Sequence, residues 1–203
     1  MGEKALSSLQ KSVRSLENFD VDMAKEVIDG DDEIDALEIE IDREAIRYLA
    51  LRAPVASDLR LLTVAIKASH DLERVGDEAR NIAKRTRKLI LKSGVKRPLL
   101  NISKMAEIAE DMLRDSLYCF FHEEPDKAYG VLKQDSQVDD LNKANLKDLI
   151  GQAKNDSDDI HDFLDMIFIS KSLERIADHA TNLAEEVIFL TTGKEARHQG
   201  LEE

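Results

Sequence analysis

The stretch Leu72-Glu-Arg-Val-Gly-Asp-Glu-Ala-Arg-Asn-Ile-Ala83 decides the fold, because the chain contains a second copy of it. The copy lies 101 residues later as Leu173-Glu-Arg-Ile-Ala-Asp-His-Ala-Thr-Asn-Leu-Ala184, and seven of the twelve positions are identical. Three of the other five replace Val with Ile, Gly with Ala and Ile with Leu, which keeps the apolar character and similar size. A match of this kind at one register indicates a repeated structural unit.

Both copies of this stretch lie in long segments with helical periodicity. Apolar residues recur every three or four positions from Leu61 to Ile82 and again from Ile160 to Val187, which predicts an amphipathic helix in each place. The first long helix begins at Pro54 or within about three residues of it, since proline is favoured in the first turn. Gly94 and Gly193 follow the two helices and are expected to end them.

Two shorter helices precede the long helix in each copy. The same spacing predicts them over residues 4–18 and 24–48 in the first copy and over residues 102–120 and 126–150 in the second. The second helix matches its counterpart at an offset of 104 residues, which aligns Asp31 with Asp135. Gly30 is the weak point of this helix, but Gln134 at the matching position indicates that the helix need not break there.

The composition agrees with an all-α fold. The 203 residues include 8 glycines and 3 prolines, and aromatic residues make up 4%, as expected for long packed helices rather than sheets. The apolar content of 42% is sufficient for a buried core. We therefore predict two tandem, pseudo-symmetric three-helix bundles over residues 1–94 and 98–203, joined by a short linker. Short connections make each helix antiparallel to the next.

Charge and composition exclude several functional classes. The net charge of −13 repels a phosphate backbone, so we expect no nucleic-acid partner. No apolar run approaches the roughly 18–20 residues that span a bilayer, and Met1 leads into a polar, amphipathic segment rather than a secretory signal. The single cysteine, Cys119, lies in an apolar stretch, rules out an internal disulfide and is expected in the core. These features predict a cytoplasmic protein.

Each copy carries four carboxylates at matching positions on its second and third helices. The two on each helix are four residues apart, so they lie along one strip of the helix surface. The eight residues are Asp31, Asp35, Glu73 and Asp77 in the first copy and Asp135, Asp139, Glu174 and Asp178 in the second. If the two helices pack side by side, these acids converge and repel one another. A multivalent cation relieves that repulsion, and oxygen ligands suit hard ions such as magnesium, calcium, manganese or iron(III).

A second interpretation treats these acids as ordinary surface charge. Arg74 and Arg175 follow Glu73 and Glu174 directly and offer nearby positive charges, and acids spaced by four are common in acidic helical proteins. The recurrence of the acids in register favours a binding role, and spacing alone leaves both interpretations open. His70 lies on the same strip but is matched by Lys171, so we interpret it as a surface histidine.

Three motifs resemble the signatures of the PhoU family over nearly the whole chain. They are the run Arg52-Ala-Pro-Val-Ala-Ser-Asp-Leu-Arg60 and the two Leu-Glu-Arg-x-x-Asp stretches at residues 72–77 and 173–178, each followed by an asparagine. The sequence departs from the family pattern in a first helix about nine residues shorter. It also lacks any Pro-x-x-x-Asp-Leu-Arg run in the second copy.

The resemblance implies a fold, a function and partners. The implied fold is a pair of three-helix bundles, and the implied function is negative regulation of phosphate-specific transport and of its two-component signalling. The eight acids named above match the family's acidic pairs that hold multinuclear metal clusters. The implied partners are the ATPase of the phosphate transporter and the phosphate-sensing histidine kinase. We also expect a homo-oligomer, such as a homodimer, that associates with the membrane through its partners.

Two alternatives to a metal-binding adaptor follow from the helical composition. A carboxylate-bridged di-iron enzyme or iron store requires two Glu-x-x-His elements in its bundle, and this chain has one such element, Glu195-Ala-Arg-His198, in its tail. A purely structural helical scaffold is the other alternative. The sequence has no Ser-His-Asp arrangement, glycine-rich phosphate loop or CxxC motif, so we expect a protein without catalytic activity.

Overall fold

The computed structural model describes residues 1–99, 101–155 and 159–194, which contain eight α-helices and no strand. The helices are α1 (Gly2–Asn18), α2 (Val21–Gly30), α3 (Asp32–Arg52), α4 (Ser57–Lys92), α5 (Ile102–His122), α6 (Pro125–Leu132), α7 (Asp135–Asn155) and α8 (Ile160–Thr192). The all-α fold class is confirmed. None of the helices in these ranges is both long and apolar enough to cross a membrane.

The second predicted helix of each copy is interrupted, which gives eight helices instead of six. In the first copy the interruption is at Asp31, between α2 and α3, and Ile34 N–H donates to the carbonyl of Asp31 at 2.8 Å. In the second copy Lys133 and Gln134 separate α6 from α7, and Gln134 N–H donates to the carbonyl of Val131 at 2.9 Å. Bonds three residues apart tighten the turn and end the regular helix. The inference from Gln134 that the helix need not break was therefore wrong.

The long helices end as the sequence predicted. Gly193 adopts a left-handed conformation with φ of 71° and donates its N–H to the carbonyl of Phe189 at 2.9 Å, which caps α8. Gly94, two residues after the end of α4, is also left-handed, with φ of 62°. At its other end α4 begins at Ser57, three residues after Pro54.

The two long helices α4 and α8 form the centre of the molecule. Helices α1, α2 and α3 pack on α4, while α5, α6 and α7 pack on α8. Helix α4 also packs along α8, and the buried residues of both copies, including Leu9, Leu72, Met105 and Leu173, join in one core cluster. Cys119 is buried in that core, as predicted. The boundaries 1–94 and 98–203 fall in the connection between α4 and α5, and as limits of folding units they stay a prediction.

A row of three ion pairs and one histidine–carboxylate contact, which we call the inter-copy seam, joins α4 to α8. It consists of Lys67 with Glu186 at 3.0 Å, Asp71 with His179 at 2.9 Å, Glu78 with Arg175 at 3.0 Å and Arg85 with Asp165 at 2.9 Å. The partner number falls on α8 as it rises on α4, so the two helices are antiparallel. All four acids of the seam are buried. Since a buried carboxylate needs a partner, the seam fixes how the two copies are placed along each other.

Candidate metal centres

The first acidic cluster lies where α3 packs on α4. Asp31 and Asp35 are at the amino end of α3, a position that favours carboxylates because the helix dipole is positive there. Glu73 and Asp77 are near the middle of α4. Asp31 is buried, and the other three are half-buried. The structure thus brings the four predicted acids of the first copy to one helix pair.

Small residues at the same place in both copies allow the acid-bearing helices to approach closely. A Cβ atom added to Gly76 would lie 2.9 Å from Cδ1 of Ile34 and 3.5 Å from Oδ1 of Asp31. In the second copy the equivalent residues are Ala177 and Val138, both fully buried. In the first copy the small Gly76 faces the large Ile34, and in the second the larger Ala177 faces the smaller Val138. The two pairs therefore fill a similar volume.

The carboxyl groups of the first cluster influence one another's ionisation. Burial raises the pKa of Asp31, Arg80 opposes that rise, and the charges of Asp35 and Asp77 add to it. Burial likewise raises the pKa of Glu73, and the neighbouring Asp77 raises it further. The predicted crowding of these acids is therefore present in the structure.

Arginine side chains neutralise part of the first cluster. Arg80 lies 3.0 Å from Oδ2 of Asp31, while Arg74 lies 3.2 Å from Oε2 of Glu73 and 3.3 Å from Oδ2 of Asp77. Within the described part of the chain, however, no donor makes a well-directed hydrogen bond to either buried oxygen of Asp31 or to Oε2 of Glu73. Buried acceptors of this kind are uncommon in folded proteins. The arginines therefore leave the cluster incompletely satisfied.

The second acidic cluster lies where α7 packs on α8. Burial raises the pKa of Asp135, with a further contribution from Asp139, and a 3.4 Å hydrogen bond from the Thr181 hydroxyl opposes the rise. Desolvation of its carboxyl, followed by the charges of Glu174 and Asp135, raises the pKa of Asp178 to about 6. The structure thus also brings the four predicted acids of the second copy together.

The second cluster receives less positive charge than the first. Among the described residues, its ion pair is the one between Lys171 and Glu174, at 2.5 Å. Arg175, the counterpart of Arg74, instead lies 3.0 Å from Glu78 in the inter-copy seam. Thr181 stands where the first copy has Arg80. The second cluster therefore keeps its carboxylates with fewer cationic neighbours.

Two residues that sequence reasoning did not assign to the site lie beside the first cluster. Glu38 is on α3, and Nδ1 of His70 on α4 lies 3.1 Å from its Oε1. One donor atom each of Glu38, His70 and Glu73 lies within 4.8 Å of the others. His70 is exposed, as predicted, but it borders the cluster. Its spacing of three residues from Glu73 was the available signal, and the comparison of the two copies discarded it because Lys171 is not a histidine.

The PhoU domain model matches residues 1–86 and 102–187, which together are most of the chain. The chain belongs to the PhoU family. The resemblance inferred from the repeated motifs is therefore confirmed, and each PhoU match covers one copy of the repeat.

Individual PhoU proteins are similar over nearly the full length. The phosphate-specific transport system accessory protein PhoU homolog of Zymomonas mobilis is 40% identical over 96% of this chain and 82% of its own. The Aquifex aeolicus homolog is 38% identical over 100% of this chain and 91% of its own. The crystal structure of PhoU from Pseudomonas aeruginosa matches with a TM-score of 0.92 at 36% identity, covering 96% of this chain and 93% of that one. These matches agree with the two-copy helical fold.

The donor sets of both clusters fit a hard cation. Each offers four carboxylates from two helices, and in the first cluster Oδ1 of Asp31 is buried with neither a hydrogen bond nor an ion pair from the described residues. Carboxylate oxygens are the ligands that hard cations prefer. A bound cation would also reverse the mutual repulsion that raises the pKa values of these acids.

Proposed function

We propose that this protein is a non-catalytic, cytoplasmic adaptor that binds metal ions and negatively regulates phosphate uptake and phosphate-starvation signalling. Membership of the PhoU family supports the regulatory role, because relatives are named as accessory proteins of the phosphate-specific transport system. The observation that carries the metal-binding part is the recurrence of four converging carboxylates at equivalent places in both copies. Surface carboxylates without a role are not expected to recur at equivalent positions of both copies while the cationic residues around them change.

The metal ions in this proposal are hard cations such as iron, manganese, magnesium or calcium. Asp31, Asp35, Glu73 and Asp77 hold the first site, and Asp135, Asp139, Glu174 and Asp178 hold the second. A cation bound in this way supplies positive charge and links neighbouring helices, so it stabilises the folded state. In the first site it links α3 to α4, and in the second it links α7 to α8.

The adaptor part of the proposal requires protein partners. We assign this role to the ATPase of the phosphate transporter and to the phosphate-sensing histidine kinase, with a homodimer as the working form. Leu51, Val55 and Phe121 support protein contacts, since each is apolar and more than two-thirds exposed at 71%, 74% and 75%. The di-iron alternative depends on Glu195 to His198, which lie outside the described residues.

Metal analysis and thermal melting of purified protein test the metal-binding part. We expect bound metal in the wild-type protein, and a lower melting temperature after chelation. Glu73→Gln with Asp77→Asn should empty the first site, and Glu174→Gln with Asp178→Asn should empty the second.

Glu107→Gln with Asp111→Asn is the matched control, because this exposed pair on α5 has the same spacing and the same change of charge. It should keep the full metal content. Unchanged metal content in both cluster variants, together with a higher melting temperature, would show that the acids are only solvated surface charge and would leave a scaffold role.

Deletion of the gene tests the regulatory part independently. We expect phosphate-starvation genes to stay active in phosphate-rich medium, because the negative regulator is missing. The strain must have no second homologue. Normal repression in that strain would contradict the proposed regulation, whatever the metal analysis shows.

A further inference from the structure

An apolar groove follows the amino-terminal half of α4. One part, with a volume of about 510 Å³, lies between α3 and α4, and a second part of about 260 Å³ lies where α4 meets α5 and the start of α1. Ile41 and Ala65 line both parts, so the two are continuous. The groove is therefore built by residues from both copies of the repeat.

The groove has the length of a short helix. Its wall on α4 extends from Leu62 to Leu72, and its wall on α3 extends from Ile41 to Arg52. At about 1.5 Å per residue, each wall is about 15 Å long, which is about three helical turns. A partner helix of similar length therefore fits along it.

Exposed apolar side chains line both ends of the groove. Leu51 lines one end and Phe121 the other, and they are 71% and 75% exposed. Tyr48, which lies one turn before Leu51, is 46% exposed. Between the two ends the lining includes Ala65 and Ala68, whose small side chains leave room for a partner. Apolar side chains this exposed on a concave surface indicate contact with another molecule.

Arginine residues line the α3 end of the groove, in a chain whose net charge is −13. Arg47 pairs with Glu44 at 3.2 Å. Arg52 is exposed and forms no ion pair with any of the described residues. The lining residues around Phe121, in contrast, carry no charged side chain. The groove therefore complements a partner that is apolar along its length and acidic at one end.

The loop that follows the α3 wall has a strained backbone. Ala53 and Ala56 have φ angles of 43° and 48°, which glycine adopts readily and alanine does not. Between them Val55 is 74% exposed. Strained residues persist where the surrounding structure fixes them, and they are frequent at ligand-binding sites. The groove thus has a preformed edge beside Leu51.

We propose that this groove binds an amphipathic helix of a partner protein. The apolar face of that helix lies against Leu51 and Phe121, and its carboxylates pair with Arg47 and Arg52. Helices bind to grooves of this kind through apolar residues at positions i, i+3, i+4 and i+7. The inference rests on the adaptor part of the proposed function and assigns it a surface and a class of partner.

A second copy of the chain fits the groove less well than an acidic helix. A symmetric contact places the same surface of both subunits together. One cleft would then face another, and the space between them would stay unfilled. An acidic helix fills the cleft and also supplies carboxylates to its arginines.

Binding of a synthetic peptide to the full-length protein tests the proposal. The probe is a fluorescent helix of about 14 residues, with leucines at positions i, i+3, i+4 and i+7 and glutamates at one end, and a hydrocarbon staple keeps so short a peptide helical. Leu51→Ser with Phe121→Ser should weaken binding at least about tenfold in fluorescence anisotropy. Thermal melting checks that the variant folds.

Ile39→Ser with Ile46→Ser is the matched control for the apolar contacts. These residues of α3 are also exposed, at 67% and 63%, but they do not line the groove. The control should bind the peptide as the wild type does. Absence of peptide binding, or equal losses in the groove and control variants, would overturn the proposal.

Charge reversal tests the assigned arginines. Arg47→Glu with Arg52→Glu should weaken binding of the glutamate peptide and strengthen binding of a matched peptide with lysines in place of glutamates. A benzophenone on the apolar face of the peptide should crosslink to residues 41–52 or 62–72. Equal affinity of the wild-type protein for both peptides, or crosslinks confined to other helices, would contradict the assignment.

Sedimentation and the deletion strain separate this inference from its alternatives. A wild-type dimer that dissociates in the Leu51→Ser, Phe121→Ser variant would assign the groove to a second copy and overturn the proposal. Failure of peptide binding, with starvation genes active in the deletion strain, counts against the groove alone. Peptide binding at the groove supports the inference even if repression in that strain is normal, which counts against the proposed regulation alone.

Discussion

The two acidic clusters keep the same carboxylates but differ in the cations around them. In the first, Arg80 pairs with Asp31 at 3.0 Å, while in the second the hydroxyl of Thr181 donates to Asp135 at 3.4 Å. The repeat therefore preserves acids whose ion-pair partners have changed. This difference indicates that the carboxylates have a role beyond pairing with a particular arginine.

The inter-copy seam explains part of this difference. Arg74 contacts two acids of the first cluster, but its counterpart Arg175 contacts Glu78 of the other copy. The second cluster consequently has less positive charge, and desolvation with nearby carboxylates raises the pKa of Asp178 to about 6. We expect the second cluster to depend more strongly on a bound cation.

The largest expected effect comes from breaking the seam. Asp71 is buried and accepts contacts from His179 at 2.9 Å and Asn182 at 3.1 Å. Changing both partners to alanine leaves the carboxylate without them, which should lower the free energy of unfolding by about 3 kcal/mol. Denaturant unfolding measures this loss. Asn81→Ala, at the position equivalent to Asn182, is the control and should cost less, because its amide lies 3.4 Å from Glu78.

Exchange of Arg80 and Thr181 should reverse the difference between the clusters. Thr181→Arg adds a positive charge beside Asp135 and should weaken metal binding at the second cluster about tenfold, or about 1.4 kcal/mol. Arg80→Thr should strengthen binding at the first cluster. Titration calorimetry with manganese, in variants that retain one cluster, measures both changes. Equal affinities before and after the exchange would contradict the role assigned to these cations.

The matched volumes of Gly76 with Ile34 and Ala177 with Val138 predict a coupled pair. Gly76→Ala gains about 1 kcal/mol of helix propensity, but its Cβ would lie 2.9 Å from Ile34, and overpacking costs about 1–3 kcal/mol. Ile34→Val should relieve the clash. A double-mutant cycle should therefore give a favourable coupling of about 1 kcal/mol, and strict additivity would show that the contact adapts without cost.

A smaller effect is expected in the pH dependence of the metal-free protein, because Asp178 is exposed to solvent, which screens its charge. Between the ordinary value of 3.8 and about 6, folded Asp178 keeps a proton that the unfolded chain has released. The free energy of unfolding should therefore fall as the pH rises through this range and stay lower above it. Melting temperatures of chelator-treated protein between about pH 4 and pH 7 measure the trend. Asp178→Asn should reduce the slope without abolishing it, because burial also raises the pKa values of Asp31, Glu73 and Asp135, whereas Asp111→Asn on α5 should leave the slope unchanged.

The sequence predicted the features that local patterns determine. Apolar spacing located the long helices, glycine located their ends at Gly94 and Gly193, and the repeat located both acidic clusters. The spacing of apolar residues could not predict the interruption at Gln134. The hydrogen bond from Gln134 N–H to the carbonyl of Val131 ends the regular helix without changing the apolar periodicity of the sequence. It also could not predict which copy Arg175 contacts, since that depends on how α4 and α8 pack.

The comparison of copies also limited what the sequence could show. Searching for residues present in both copies found the eight acids and passed over Glu38 and His70, whose counterparts are Asn142 and Lys171. Only the packing of α3 on α4 shows that donor atoms of Glu38, His70 and Glu73 lie within 4.8 Å of one another.

The contacts of the inter-copy seam fit two unlike copies better than two identical ones. If two first copies paired in the same way, Asp71 would face Glu78 of the other, and two acids would meet. If two second copies paired in this way, Arg175 would lie opposite His179, which stands at the position of Glu78, and would have no carboxylate partner there. Mismatched charges in such positions disfavour self-association, whereas the unlike copies pair well. The duplicated halves have therefore become a heterodimer within one polypeptide, and a change in either half of the seam selects for a compensating change in the other.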